Sequence, residues 1–190
     1  MRVHPTAVVS PRARIGEGTV IGANTFIDQD VTIGPGCVVS PNVTILRYTT
    51  LGARCRVHAG AVLGDVPQDI NYQGVRSYVR IGNDSVIREG VTIHRGTGEE
   101  TETVVGDRCL LMANCHLGHN VRLGNEVTIT NGALLAGYVD VGDRVRHSHW
   151  GEGVVREIVG MGDRAEAIVV FNGYGAKRLL LAWAPLEKVS

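Results

Sequence analysis

The sequence predicts an all-β protein: a left-handed parallel β-helix over residues 1–141, followed by a small β-barrel over residues 142–190. Three observations predict it. An aliphatic residue recurs at every sixth position, a glycine often follows it, and both regularities stop after Val141. Of the 24 positions on this grid only Asp69 and Glu99 break the column, which runs from Val3, Val9 and Ile15 through Leu63, resumes at Val75 and Ile81, and ends at Ile129, Leu135 and Val141.

Six residues are too few for helices. They suit a short strand with its aliphatic side chain turned inward, a second small or β-branched residue four positions later also facing in, and a glycine that lets the chain round a corner. Three such hexads close a triangular coil, so residues 18 apart stack and each coil buries its apolar columns on the next. Cys37, Cys55, Cys109 and Cys115 all fall in the fifth, small-residue slot of their hexads, which marks them as buried packing residues. No CxxC pair or metal-ligand spacing is present, as suits a reducing compartment. The two breaks have loop composition: Asp65 to Gly74 is polar and carries Pro67, and Thr97 to Glu102 is polar and acidic. Both are expected to project from the prism, where ligand contacts gather on such scaffolds.

Nineteen basic and nineteen acidic residues cancel, so the charge gives no reason to expect nucleic acid or an anionic membrane as the main partner. The chain opens directly into repeats, with no secretory signal and no apolar run of membrane-spanning length. A cytoplasmic protein is the expectation. The distribution is uneven, however: Lys177 and Lys188 are the only lysines, and both tryptophans, Trp150 and Trp183, also lie beyond the repeats.

Polar residues are out of place in repeat columns, which singles out Asn114, His116, His119 and Asn120. Gly137 lies 18 residues after His119, so an imidazole and a glycine N–H are expected to stack on one corner of consecutive coils. That pairing suits acyl transfer, with a general base for the attacking hydroxyl or amine and a backbone donor for the tetrahedral oxyanion. His94, His116 and His119 are also weighed as zinc ligands, but His116 and His119 occupy different hexad slots and neighbouring chains would have to complete such a site. His4, His58 and His94 share the second slot and read together as a surface corner.

The segments Ile87-Arg88-Glu89-Gly90-Val91-Thr92-Ile93-His94-Arg95-Gly96-Thr97 and Leu110-Leu111-Met112-Ala113-Asn114-Cys115-His116-Leu117-Gly118-His119, with the loop at Gln68-Asp69-Ile70, resemble the UDP-N-acetylglucosamine O-acyltransferases that begin lipid A synthesis. The resemblance covers residues 1–141. It implies transfer of a 3-hydroxyacyl group from acyl carrier protein to the sugar 3-hydroxyl of UDP-N-acetylglucosamine, in a homotrimer with active sites between subunits and with no metal or redox cofactor. It implies His119 as general base and Gly137 as oxyanion donor. Gln68, Asp69, His94, His116 and Tyr138 become substrate-binding residues, His116 from the neighbouring subunit. This chain has Asn120 where the family often has an acidic residue, and Tyr138 where a histidine is common. Two alternatives stand beside the enzyme: an inactive β-helix scaffold whose tail binds another protein, and a zinc enzyme of the gamma-class carbonic anhydrase kind.

Beyond Val141 short alternating runs replace the hexads, with strands expected at Arg144–His147, Gly153–Val159, Glu166–Phe171 and Lys177–Leu181 and turns at Gly160–Asp163 and Asn172–Gly175. Gly142-Asp143-Arg144-Val145-Arg146-His147, Trp150-Gly151-Glu152-Gly153, Phe171-Asn172-Gly173 and Lys177-Arg178-Leu179 resemble the Tudor-like C-terminal domain of UvrD-type DNA helicases, an accessory interaction module. Its seven basic and six acidic residues make a weak phosphate-binding footprint, so a protein partner, or a cap on the open end of the β-helix, is expected before nucleic acid.

Overall fold

The structure is a computed structural model that describes residues 1–142, 144–159, 166–180 and 184–188. Seven coils stack into a three-sided prism. The first sheet begins with Arg2–Val3, the second with Val8–Val9 and the third with Arg14–Ile15, and all strands within the prism pair in parallel with their counterparts one coil away. The aliphatic column points inward throughout: Ile27, Ile45, Leu63, Ile93 and Leu117 of the second sheet are all fully buried. Each such side chain contributes roughly 1.5–3 kcal/mol by leaving water.

The corner that joins the third sheet to the first shows why glycine follows the aliphatic residue there. A Cβ on Gly34 would lie 2.6 Å from the backbone carbon of Gly52, and one on Gly52 would lie 2.7 Å from that of Gly82. Backbone meets backbone at this corner, leaving no room for a side chain. Just inside it the fifth-slot residues form a hydrogen-bonded ladder to the same glycines. Thr19 Oγ1 donates to Gly34 O at 2.9 Å, Cys37 Sγ to Gly52 O and Cys55 Sγ to Gly82 O at 3.0 Å, Ser85 Oγ to Gly106 O at 3.0 Å, and Cys109 Sγ to Gly124 O at 3.1 Å. All four cysteines are free and buried. Burial pushes the Cys115 thiol up to about 12 and raises that of Cys109 as well, so these two are packing residues rather than nucleophiles.

Both loops leave the prism at one corner, between the second and third sheets. Leu51 pairs with Ile81 and Ile81 with Val105, register steps of 30 and 24 residues in place of 18, so twelve and six residues are extruded in consecutive coils. Val75 therefore does not belong to the inward column. It lines a cavity beside the loop, and its place on the six-residue grid follows from an insertion of two whole hexads.

The C-terminal module is a five-stranded antiparallel sheet in the order Leu186–Lys188, Arg144–His147, Gly151–Val159, Glu166–Phe171, Gly175–Leu180. The strand at Leu186–Lys188 was not among those expected, and the expected turn at Gly160–Asp163, Leu181 and Trp183 lie outside the described residues. Val145, Val155, Ala167, Val169 and Phe171 form the buried core, against which Trp150 packs, its ring stacked 4.1 Å from that of His147. The long strand Gly151–Val159 also pairs in parallel with the last coil, Thr128 opposite Glu157 and Ile129 opposite Ile158. The module thus extends the first sheet of the prism and covers one of its three open edges.

Overpacking at the glycine corner is the direct test of this architecture. Gly52→Ala is expected to lower the unfolding free energy of the whole chain by about 1–3 kcal/mol in denaturant titration, because the clashing neighbours are backbone atoms.

Candidate active site

His119 and Gly137 lie in consecutive coils at the corner from which both loops emerge. The imidazole lies flat over the glycine: a Cβ at position 137 would collide with His119 Cε1 and Nε2. The stacking expected from the 18-residue spacing is therefore a packing contact that any residue but glycine would break. Among the described residues the Gly137 N–H donates no hydrogen bond, like the His119 N–H at the equivalent position one coil earlier. An open cleft of about 420 Å3 surrounds the pair, lined also by Gln68, His94, His116, Gly118, Leu134 and Ala136.

Neighbouring contacts fix the tautomer of His119. Its Nδ1 lies 3.1 Å from Asn120 Oδ1, and that oxygen already accepts a hydrogen bond from the Thr97 N–H at 3.0 Å. With a backbone donor holding the amide oxygen in place, Nδ1 must carry the proton and Nε2 is left with its lone pair free. Asn120 is itself set by a left-handed backbone (φ 60°), a conformation asparagine tolerates, and by its N–H donating to Thr103 Oγ1 at 2.8 Å. Asn120 therefore orients the His119 imidazole without a charge.

The remaining sequence-predicted residues divide. Tyr138 meets the His119 ring edge-on at 5.2 Å and is largely exposed. His116 donates to or accepts from Thr92 Oγ1 through Nδ1 at 2.7 Å and packs edge-on against His94 at 4.6 Å, so it lines the same chain's cleft. His94 is a correction: it is 6% exposed and turned into the cleft, whereas His4 and His58, which share its slot, lie on the surface or half-exposed. A bulge between Leu63 and Asp65, with Gly64 at φ 86°, shifts the register where His94 pairs and accounts for the difference. Burial lowers the affinity of both His94 and His116 for a proton, and for His94 the neighbouring His116 adds to it. Among the described residues no three His, Cys, Asp or Glu side chains group as a metal-ligand set.

Gln68 reaches the cleft, while Asp69 is tied into the loop. Its carboxylate accepts from the Asn71 N–H at 2.8 Å and from Thr97 Oγ1 at 3.1 Å, and it is held below the usual carboxylate range chiefly by the Asn71 bond. Thr97, which sequence reasoning passed over, thus links Asp69 on one loop to Asn120 and His119 on the next coil. The polar break around Glu99 was the signal that could have found it.

Three family models match the chain: bacterial transferase hexapeptide repeats at residues 30–65 and 102–137, the hexapeptide repeat of succinyl-transferase at 12–47, and the PcrA/UvrD tudor domain at 141–188. Acyl-[acyl-carrier-protein]–UDP-N-acetylglucosamine O-acyltransferases from Thermodesulfovibrio yellowstonii and Halorhodospira halophila are 41% and 46% identical, over 74% and 73% of this chain and 55% and 54% of their own length. The chain thus spans about half the length of the curated relatives it matches. Among solved structures, the UDP-N-acetylglucosamine acyltransferase from Campylobacter jejuni superposes with a TM-score of 0.70 at 41% identity, covering 75% of this chain and 56% of that one. That of Francisella novicida gives 0.71 at 35% identity, covering 74% and 52%.

Two measurements check the site. In 15N imidazole spectra at about pH 8, His119 is expected to show a protonated Nδ1 and a bare Nε2, and Asn120→Ala is expected to mix the tautomers. Stability should depend on the buried histidines as follows. Because their folded-state affinity for protons lies below the ordinary 6.5, the unfolded chain binds more protons at acid pH, so stability is full above 6.5 and falls as pH drops below it. His94→Gln should flatten that acid limb in pH-resolved thermal unfolding. Taken together, site and comparisons make this chain a hexapeptide-repeat β-helix similar to about half the length of the UDP-N-acetylglucosamine acyltransferases, with residues 141–188 similar to the PcrA/UvrD tudor domain.

Proposed function

We propose that the chain is an O-acyltransferase that moves a 3-hydroxyacyl group from acyl carrier protein to the 3-hydroxyl of UDP-N-acetylglucosamine, the first step of lipid A synthesis, in the cytoplasm. The observation that carries this reading is the His119 imidazole, its Nε2 without a hydrogen-bond partner, packed against Gly137 in an open cleft where the Gly137 N–H is also unpaired among the described residues. In this mechanism the sugar hydroxyl attacks the thioester carbonyl carbon while Nε2 takes its proton. The tetrahedral oxyanion accepts a hydrogen bond from Gly137 N–H, and its collapse expels the carrier thiolate, which recovers the proton from the imidazolium. The thioester itself is the activated donor, so the reaction calls on no metal or redox cofactor. Gln68, His94 and His116 line the cleft where the sugar would lie, with Asp69 holding the loop and Tyr138 bracing the base.

A homotrimer is part of this proposal. The outward row of the second sheet, Val8, Phe26, Thr44, Val62, Thr92, His116 and Leu134, carries no charged residue, and Val8, Phe26 and Leu134 are 61%, 40% and 44% exposed. The other two outward rows carry Arg2 and Arg56, and Arg14, Arg80 and Arg122. An uncharged apolar strip that includes a cleft residue suits a face covered by another copy.

One observation favours the second reading, an inactive scaffold whose tail is an interaction module. The strand Gly151–Val159 pairs with the last coil where an enzyme with further coils would continue its prism. Turnover of 3-hydroxyacyl carrier protein with UDP-N-acetylglucosamine separates the two. Wild type is expected to turn over, and His119→Ala, at the same oligomeric state, to lose about 100-fold or more of kcat/KM. No turnover by a well-formed wild-type oligomer leaves the scaffold.

A further inference from the structure

The loop from Val66 to Arg76 has a second cavity on its other side, of about 480 Å3, lined by Asp28, Arg47, Tyr48, Tyr72, Arg76 and Arg95 among others. Arg95 directly follows His94, so one strand end sends adjacent side chains into two different cavities: His94 into the cleft of His119 and Arg95 into this one. Arg95 is 8% exposed, its Nε is buried with no hydrogen-bond partner, and no carboxylate pairs with it among the described residues. A largely buried arginine with an unsatisfied Nε and no paired carboxylate is unfavourable, and an anion in the cavity it lines would relieve that cost.

The rest of the wall points to what that anion is. Arg47 is paired with Asp28 at 3.2 Å and Arg76 lies 3.7 Å from Glu100, so both add positive potential without being fully free. Tyr48 is held in a left-handed backbone (φ 68°), rare for an aromatic residue, and its ring lies 5.3 Å from the Arg76 guanidinium and 5.9 Å from that of Arg95. Tyr72 is fixed by its hydroxyl donating to Val75 O at 2.8 Å. Three guanidiniums against the carboxylates of Asp28 and Glu100, with two aromatic walls and room beyond a carboxylate side chain, suit a phosphate ester or diphosphate better than a single carboxylate.

We propose that this cavity is a binding site for a small phosphate-bearing ligand, with Arg95 as its buried donor and Arg47 and Arg76 at its mouth. It is separate from the acyl-transfer cleft and shares only the loop with it. Occupancy would pull the loop that carries Gln68 and Asp69 against the prism, which gives the ligand a handle on the neighbouring cleft.

Titration calorimetry of the full chain with inorganic diphosphate tests this. One site per chain is expected, weakened by salt, with Arg95→Gln losing about tenfold or more in affinity and Arg76→Gln a smaller measurable amount. Circular dichroism and thermal unfolding establish that each variant is folded; if Arg95→Gln is not, the double variant Arg47→Gln/Arg76→Gln takes its place. His119→Ala should bind diphosphate as wild type does, whatever becomes of transferase activity. Absence of binding, equal affinity in the cavity variants, or loss of affinity in His119→Ala would each overturn the proposal. So would a change of oligomeric state in Arg95→Gln without diphosphate binding by wild type, since the occupant is then a carboxylate from a second copy of the chain.

Discussion

Every feature of this molecule depends on one constraint, the backbone contact between consecutive coils at the corner where the third sheet turns into the first. Gly34, Gly52 and Gly82 approach so closely there that a Cβ would meet carbonyl carbons, and the fifth-slot hydroxyls and thiols hydrogen-bond to those same glycine carbonyls. The contact fixes the rise of the prism and forbids a coil from being longer or shorter at that corner. Extra residues must therefore leave elsewhere and return in phase. Both insertions do so at the corner between the second and third sheets, in consecutive coils, and the next two coils present His119 and Gly137 at the same place. The candidate site is thus a consequence of where the prism tolerates irregularity.

The prism was legible because its columns are periodic, and a periodic requirement leaves a periodic trace. The six-residue column, the buried cysteines, the extruded loops and the stacking of His119 on Gly137 all follow from that arithmetic. Val75 was misread for the same reason: a twelve-residue insertion preserves the six-residue phase, so a loop residue falls on the grid by arithmetic alone. His94 was grouped with His4 and His58 because slot number carries no information about a bulge, and the bulge at Gly64 is what turns His94 inward. The part played by Asn120 could not be read either. Sequence shows that it lacks a charge, whereas the Thr97 N–H that pins its oxygen comes from another coil, 23 residues away.

The C-terminal module solves a problem that the repeat creates. A stack of coils ends on unpaired strand edges, and such edges invite association with other chains. Strand Gly151–Val159 binds one edge by continuing the first sheet in parallel register, while turning the rest of the module antiparallel through its hairpins. The edges at Leu134–Leu135 and Asp140–Val141 have no further strand beside them among the described residues. The uncovered edge at Leu134 adjoins the cleft, so the end of the prism stays open on the side of His119 and Gly137.

Access and order have to be combined at that corner, and the loop from Val66 to Arg76 is where they meet. Its residues face two cavities, and its carboxylate, Asp69, reaches His119 through Thr97 and Asn120 rather than by direct contact. A displacement of the loop would act on Thr97 first, then on the amide that selects the His119 tautomer. The coupling needs no change in the prism, whose glycine corner is too tightly packed to yield. It needs only that a few part-buried hydrogen bonds be made or broken, which places the adjustable part of the molecule in its two insertions and the fixed part in the repeat.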